Sequence, residues 1–253
     1  MKRTLVIGDI HGGLKALKQV LDRANFNNEE DRLVILGDYV DGWSQSSEVI
    51  EFLINLKKEN KEHIFIEGNH DYWVKDWLLY GYKNEIWIQQ GGKATVESYI
   101  KTGLLTSQEH KLFFRGLYRY FIDEENNLYV HGGFRGKFGS PDNIPADYMW
   151  DRSLIQDAMS SKDCGKMRGQ EFNNIFIGHT STVGFSIKPH YPEYKDKNQP
   201  KNGGILIPIK RCNIINLDTG GGWYGKLTIM DRDTKEYWQS DFVKDLYPEE
   251  KGR

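Results

Sequence analysis

The sequence contains few of the features that disulfide scaffolds and membrane proteins depend on. It has 2 cysteines and 7 prolines in 253 residues, and Cys164 and Cys212 show no CxxC spacing. That pattern argues against a disulfide framework and predicts buried free thiols in a reducing cytosol. No run approaches the roughly 20 apolar residues of a spanning helix, and the first apolar run is too short for a signal peptide. We therefore expect a cytoplasmic protein with no membrane partner.

The sequence also lacks a strong charge bias. The formal net charge is -2, without a long block of like charge, whereas nucleic-acid binders carry a basic patch or stripe. We expect no nucleic-acid partner. A chain of 253 residues, 38% hydrophobic, suits a single α/β domain over residues 1–253. The segment Lys188–Gly204 has three prolines and many charges, which predicts a mobile surface loop within that domain.

Hydrophobic periodicity predicts alternating strands and helices. Residues 4–66 read as strand, helix, strand, helix, strand, which favours parallel pairing. Residues 70–116 are predicted to be mostly helical, and residues 146–160 could form another helix. The remaining predictions are strands: a hairpin of Tyr118–Ile122 with Leu128–His131, then Ile205–Ile209, Asn213–Leu217, Lys226–Met230 and Glu236–Gln239.

What the sequence does contain is a repeated pattern. Five short apolar runs are each followed by a glycine and a residue that can bind a metal. In four of them the glycine comes first, and in the fifth the metal-binding residue comes first. They are residues 5–11 (LVIGDIH), 33–38 (LVILGD), 64–70 (IFIEGNH), 128–132 (LYVHG) and 175–179 (IFIGH). Short apolar runs bounded by glycine are typical of buried strands, and ligands bind beyond the carboxyl ends of strands in open α/β sheets. The pattern therefore predicts that polar side chains from five strands meet at one sheet edge.

The residues at these positions form a candidate dinuclear metal site. The predicted ligands are Asp9, His11, Asp38, Asn69, His131 and His179. Carboxylate, imidazole and amide donors together suit manganese, iron or zinc better than calcium or magnesium, and we favour two manganese ions. An Asp oxygen can bridge two ions. Two divalent ions outweigh two carboxylates, so the site would attract phosphate and acidify a bound water.

His70 follows Asn69 directly, so its side chain is predicted to point away from the ion that Asn69 binds. Histidine titrates near neutral pH and suits proton transfer. Asp41, three residues after Asp38, could orient the imidazole and hold its proton. His70 and Asp41 are therefore a candidate acid dyad.

These blocks resemble the signature motifs of calcineurin-like metallophosphoesterases. The matching segments are Gly8–Gly12 (GDIHG), Gly37–Asp41 (GDYVD), Gly68–Asp71 (GNHD), His131–Gly133 (HGG) and Gly178–Thr180 (GHT). They are closest to the phosphoprotein phosphatase branch, which includes serine/threonine phosphatases, lambda-type phosphatases and symmetrical diadenosine tetraphosphatases. The resemblance implies a four-layer αββα sandwich. It also implies that Asp9, His11 and Asp38 bind one ion, while Asp38, Asn69, His131 and His179 bind the other.

The sequence departs from the family pattern after Asp41. The family motif continues with Arg-Gly, whereas this chain has Gly42-Trp43, so a phosphate-clamping arginine is missing. Arg152, in the Trp-x-Arg block of Trp150–Arg152, is the candidate for the remaining clamp and is assigned to the catalytic set. Arg135 could replace the missing arginine, and Trp43 could stack on a base or simply pack in the core.

The resemblance implies a phosphoester hydrolase in which a metal-bridging hydroxide attacks phosphorus. We expect a phosphomonoesterase of serine/threonine phosphatase type. The substrate would be a phosphoprotein, a nucleotide or a small phosphoester. Two alternatives stay open: a dinucleoside polyphosphate hydrolase, and a catalytically dead module that binds phosphate or metal. The complete ligand set and the dyad favour an enzyme.

Overall fold

Two five-stranded mixed sheets form the centre of the protein. The structure is a computed structural model that describes residues 2–140, 143–185, 194 and 204–253. The first sheet has the order β10-β9-β1-β2-β3 and the second the order β4-β5-β6-β8-β7. The strands are β1 (Thr4–Ile7), β2 (Arg32–Ile35), β3 (Ile64–Phe65), β4 (Tyr120–Ile122), β5 (Leu128–Val130), β6 (Ile175–Ile177), β7 (Ile209–Arg211), β8 (Ile214–Asn216), β9 (Thr228–Asp231) and β10 (Tyr237–Gln239).

Each sheet has three parallel strands. In the first sheet β1, β2 and β3 are neighbouring parallel strands; β9 pairs antiparallel with β1, and β10 pairs antiparallel with β9. In the second sheet β5, β6 and β8 are parallel, with β4 and β7 antiparallel at the two edges. Strands β1, β5 and β6 are buried along their whole length. Uninterrupted apolar strands are typical of parallel sheets that are covered on both faces.

The helices lie outside the two sheets. They are α1 (Leu14–Arg23), α2 (Ser46–Glu59), α3 (Asn69–Tyr80), α4 (Glu85–Trp87), α5 (Lys93–Thr102), α6 (Gln108–Arg115), α7 (Asp147–Trp150), α8 (Ser153–Ser160) and α9 (Val243–Leu246). Apart from short turns, residues 70–116 are helical as predicted. In the described part of the chain, no helix combines the length and apolar character needed to cross a membrane.

Three hydrophobic clusters define four layers. One cluster joins side chains of both sheets, among them Val6 and Val34 with Tyr129 and Phe176, so the sheets pack face to face. A second cluster packs α1, α2, α3 and α5 on the outer face of the first sheet. The third packs α8 on the outer face of the second sheet. The prediction of an α/β fold with the αββα sandwich is confirmed.

Some element predictions need correction. The predicted strand Ile205–Ile209 is wrong, because β7 begins only at Ile209, directly after Pro208. Proline has no N–H to donate to a sheet and is excluded from paired strand positions. The predicted helix 146–160 is divided at Asp151 and Arg152 into α7 and α8, and the Asp151 carboxylate accepts a hydrogen bond from the Leu154 N–H (3.0 Å) in the first turn of α8. The predicted loop Lys188–Gly204 lies, except for Tyr194 and Gly204, outside the described residues.

The prediction of two buried free thiols is wrong. Cys164 and Cys212 form a disulfide, with their Cα atoms 5.2 Å apart, and both residues are only half-buried. Cys212 lies in the tight turn between β7 and β8, and Cys164 lies in a short helical turn after α8. The two residues are 48 positions apart, so only the folded chain brings them together.

Reduction of this disulfide should destabilise the protein. Closing a loop of 48 residues corresponds to about 4 kcal/mol in the chain-entropy treatment, and typical measured values are about 2–4 kcal/mol. We expect a reductant to lower the free energy of unfolding by an amount in that range, measured by urea denaturation. The double variant Cys164→Ser/Cys212→Ser should be insensitive to the reductant. Alkylation of two thiols in the unreduced, denatured protein would contradict the disulfide.

Candidate active site

The predicted ligands lie where parallel strands of both sheets end. Asp9 and His11 follow β1, Asp38 follows β2, Asn69 follows β3, His131 follows β5 and His179 follows β6. All six are buried. The sequence pattern placed these residues beyond strand ends, and the packing of the two sheets brings the strand ends together.

The carboxylate of Asp38 lies at the centre of the cluster. Its Oδ2 atom is 3.6 Å from His11 Nε2 and 3.4 Å from His131 Nε2. That oxygen is buried and has no hydrogen-bond partner among the described residues. A buried anionic oxygen without a hydrogen bond costs free energy, so we expect a cation to bind beside this oxygen.

The remaining predicted ligands surround this carboxylate. Two groups of side chains have ligand atoms within 4.8 Å of one another: Asp9 with His11 and Asp38, and Asp38 with His131 and His179. Asn69 Oδ1 is 3.2 Å from His131 Nε2. Asp38 belongs to both groups, as a bridging ligand would.

The histidines are arranged as metal ligands require. His11 Nδ1 lies 3.0 Å from the Val40 carbonyl and His131 Nδ1 lies 2.7 Å from the Leu36 carbonyl. A carbonyl can only accept, so Nδ1 carries the proton and the lone pair for accepting or for binding a metal lies on Nε2. Burial lowers the pKa of His11 and of His179 well below the usual value, which keeps these imidazoles neutral. His179 Nε2 is likewise buried and without a hydrogen-bond partner among the described residues.

A third carboxylate, Asp218, was missed by the sequence analysis. It is buried and lines the same pocket as His11 and His179. Burial, followed by the charges of Asp218 and Asp38, raises the pKa of Asp9 well above its usual value. Asp218 follows β8 as the other candidates follow their strands, but no glycine stands beside it in the sequence. Its place directly after the predicted strand Asn213–Leu217 is a signal that could have identified Asp218 as a candidate.

Backbone strain is concentrated at these residues. His11, Asp38, Asp41 and His179 have φ angles of 49°, 52°, 73° and 64°, in the left-handed region. Non-glycine residues adopt that region at a cost, and such strain clusters at functional sites. Gly178 allows a close approach here, because a Cβ atom at this position would overlap Asp9 Oδ1. The local backbone therefore aims polar side chains inward in a way that ordinary strand ends do not.

Asp71 holds the loop that carries Asp38. Its carboxylate accepts hydrogen bonds from the N–H groups of Asp38 (2.7 Å), Tyr39 (3.0 Å) and Gly68 (2.9 Å). Asp71 stands in the first turn of α3, where acidic residues are favoured. It is fully buried and links the ends of β2 and β3.

His70 and Asp41 are in contact. His70 Nδ1 donates to Asp41 Oδ2 at 2.6 Å, and Trp87 Nε1 and Thr95 Oγ1 donate to the same carboxylate. His70 Nε2 is buried and has no hydrogen-bond partner among the described residues. Its ring lies 5.1 Å from that of His11, between the candidate ligands and Trp73. One imidazole nitrogen is thus held by a carboxylate, while the other is buried, in a ring that lies beside the candidate ligand His11.

A pocket of about 190 Å³ opens above the cluster. Arg152 and Arg253 both line it, as does Trp223, and Arg152 Nη1 donates to the His179 carbonyl at 2.8 Å. Burial, followed by the charge of Arg253, lowers the pKa of Arg152. Trp223 and Arg253 were not singled out from the sequence, because nothing near them in the chain repeats the strand-end pattern.

Two other sequence candidates lie elsewhere. Trp43 is fully buried and stacks on Tyr247 at 5.3 Å, so it packs in the core and does not offer a face to a base. Arg135 has a side chain that is 71% exposed and pairs with Asp147 at 3.2 Å. Its side chain is not part of the described lining of the pocket. The suggestion that Arg135 replaces the missing arginine is therefore wrong.

The donor set fits divalent metal ions. A buried His179 Nε2 and a buried Asp38 Oδ2, both without a hydrogen-bond partner among the described residues, and two clusters of carboxylate and imidazole donors are features that cations would satisfy. The same features have no role in packing the core.

Comparison with known proteins agrees with this geometry. The chain matches the calcineurin-like phosphoesterase family over residues 2–204. A symmetrical bis(5'-nucleosyl)-tetraphosphatase of Pseudomonas putida is 38% identical over 68 residues, which is 27% of this chain and 23% of that protein. The match thus spans about a quarter of the relative's length.

Solved structures share the fold over nearly the whole chain. A protein provisionally named a diadenosine tetraphosphatase superposes with a TM-score of 0.59 at 16% identity, covering 94% of this chain and 92% of the other. A metallophosphoesterase from Sphaerobacter thermophilus gives 0.54 at 19% identity, covering 98% and 94%. At these identities the similarity shows the fold alone.

The chain belongs to the calcineurin-like phosphoesterase family. The family depends on two metal ions, and the described residues contain two groups of candidate ligands that share Asp38.

Asp71 provides a test of how the site is held. Replacing it by alanine leaves three buried N–H groups without an acceptor, and each such loss costs about 1–3 kcal/mol. We expect Asp71→Ala to lower the free energy of unfolding by about 3–5 kcal/mol in urea denaturation. Asp71→Asn, which keeps one acceptor oxygen, should lose less. Asp22→Ala, at an exposed position of α1, is the control and should stay within about 0.5 kcal/mol. A loss for Asp71→Ala no larger than for this control would contradict the role.

Proposed function

We propose that this protein is a dimetal phosphoester hydrolase, and specifically a phosphomonoesterase of the serine/threonine phosphatase type. The observation that carries the proposal is Asp38 Oδ2, a buried oxygen without a hydrogen-bond partner among the described residues, between the Nε2 atoms of His11 and His131. A pocket of about 190 Å³ with two guanidinium groups suits a compact phosphate dianion.

The proposed ligand sets follow the two groups of donor atoms. Asp9, His11 and Asp38 would hold one ion; Asp38, Asn69, His131 and His179 would hold the other. Mixed nitrogen and oxygen donors favour manganese, with iron or zinc compatible. When bound, divalent ions would supply positive charge that offsets the phosphate and would activate water as a nucleophile.

We assign the remaining steps to residues around the ligands. His70 Nε2 carries a proton to the departing alkoxide, and Asp41 holds the other ring nitrogen so that the imidazole keeps its orientation. Arg152, at the pocket wall, binds phosphate oxygens and excludes water from them. Neither cysteine can act as a nucleophile, because Cys164 and Cys212 are joined to each other.

A second candidate function is hydrolysis of dinucleoside polyphosphates. Trp223 lines the pocket and is 39% exposed, and Tyr224 is stacked nearly parallel to it with centroids 6.3 Å apart. Exposed aromatic faces beside a phosphate pocket suit a nucleobase. The name of the Pseudomonas putida relative points the same way, for a protein of which this match covers 23%.

Two further assignments remain proposals. We propose that residues 1–253 form one domain, because one hydrophobic cluster joins both sheets. The cytoplasmic location stays a prediction from the sequence; the disulfide Cys164–Cys212 is more typical of an oxidising compartment.

A panel of substrates separates the candidate functions. With Mn²⁺ present we expect para-nitrophenyl phosphate and a phosphoserine peptide to be hydrolysed with a higher kcat/KM than diadenosine tetraphosphate, and a chelator should abolish both activities. A preference for diadenosine tetraphosphate that Trp223→Ala removes would favour the second candidate. No metal-dependent turnover of any of the three would identify a catalytically dead binding module.

The role of His70 is tested through the leaving group. An alkyl alkoxide needs a proton to depart, whereas para-nitrophenolate is a far weaker base. General acid catalysis contributes about 10²–10⁴-fold, so His70→Asn should lose much of that range in kcat on a phosphoserine ester and clearly less on para-nitrophenyl phosphate. Asp41→Asn should show the same pattern more weakly.

The manganese content serves as the control for both variants. It should stay at the wild-type level, because neither His70 nor Asp41 is assigned as a ligand. Equal losses on the two substrates would rule out the acid role, and loss of manganese would show that the ligand assignment is wrong.

A further inference from the structure

Segment 247–253 brings a cation into the pocket from a distant part of the chain. Arg253 Nη1 lies 3.0 Å from His11 Nε2 and 3.9 Å from Asp38 Oδ2, and the side chain is 18% exposed. The guanidinium also lies over the Trp223 ring at 5.6 Å. Arg152 lines the same pocket, so two guanidinium groups face one small cavity.

We propose that Arg253 binds the phosphoryl group of the substrate together with Arg152, an assignment that rests on the proposed phosphoester hydrolase function. A planar guanidinium matches two phosphate oxygens at once, which gives such contacts their strength and geometry. The present partner of Arg253, His11 Nε2, is a proposed ligand atom. If that lone pair bound an ion, the guanidinium would need another acceptor, and a phosphate anion in the pocket would provide one.

The departure from the family motif at position 42 supports this assignment. A Cβ atom on Gly42 would lie 3.3 Å from the backbone nitrogen of Arg253 and 3.4 Å from the Cβ atom of Arg253. The φ angle of Gly42 is 104°, which side-chain-bearing residues rarely adopt. Arg253 therefore stands beside the position from which the family arginine would extend, and the cation absent at Gly42 is supplied by residue 253.

The neighbouring residue, Trp43, helps to hold segment 247–253 in place. Tyr247 stacks on the buried Trp43 ring at 5.3 Å, and its hydroxyl donates to Gln45. Glu250 accepts hydrogen bonds from the Ser44 N–H (2.9 Å) and hydroxyl (2.6 Å). Both departures from the motif at 42–43 thus serve one arrangement: glycine makes room for Arg253, and tryptophan packs against the segment that carries it.

The test uses the metal-loaded protein and inorganic phosphate as the probe. We expect Arg253→Ala to raise the dissociation constant of phosphate, measured by calorimetry, and the KM for para-nitrophenyl phosphate by about 10–100-fold, the range of a lost charged hydrogen bond. Manganese content should not change. Arg253→Lys should recover part of the affinity, since it keeps the charge but not the fork.

Two further variants distinguish phosphate binding from a general effect of charge or packing. Arg135→Ala is the matched control: this exposed arginine pairs with Asp147, so the phosphate affinity should be unchanged. Glu250→Ala should weaken phosphate binding moderately by releasing the segment, and should add little in the Arg253→Ala background, because both changes act through one contact.

The proposal is overturned if Arg253→Ala binds phosphate as the wild type does. It is also overturned if this variant gains or loses manganese affinity while its phosphate affinity is unchanged. Arg253 would then act only through its hydrogen bond to His11 Nε2, a proposed ligand atom. Phosphate titration needs no turnover, so it decides the role of Arg253 even if none of the substrates tested for the proposed function is hydrolysed.

Discussion

The carboxylate of Asp38 lies where the strand ends of both sheets meet, and the arrangement of the candidate site depends on it. One oxygen accepts a hydrogen bond from the backbone N–H of His70 at 3.0 Å. The other oxygen lies between the imidazole of His11, which follows a strand of the first sheet, and that of His131, which follows a strand of the second. No single sheet supplies this environment. The face-to-face packing of the sheets therefore does more than bury apolar surface: it sets the distances within the site.

A site of this kind lowers the stability of the folded protein. Carboxylates are crowded in a buried space, three candidate ligands and Asp41 adopt left-handed backbone angles, and polar atoms are left without hydrogen-bond partners within the described residues. Each feature costs free energy, which the apolar clusters on both faces of each sheet offset. Cations would relieve the repulsion, so metal binding and the stability of this edge are expected to be coupled.

The side of the pocket lined by Arg253 and Trp223 is built differently from the side formed by the candidate metal ligands. The candidate ligands come from strand ends that belong to the shared fold, whereas Arg253 and Trp223 come from segments that pack over the top of the cluster. Changes there can alter substrate choice without disturbing the ligands. The pairing of Gly42 with Arg253 illustrates such a change, because one residue gives up space that the other occupies.

The sequence by itself determined the candidate ligands and the class of fold. Asp9, Asp38 and His131 follow short apolar runs, and a buried strand can be recognised from its own residues. The tertiary structure alone decided the rest. Asp71 acts by accepting N–H groups from another strand end, Arg253 reaches His11 from 242 positions away, and Cys164 meets Cys212 across 48 residues. These contacts depend on how distant segments pack, and distant packing leaves no periodic or local signal in the chain.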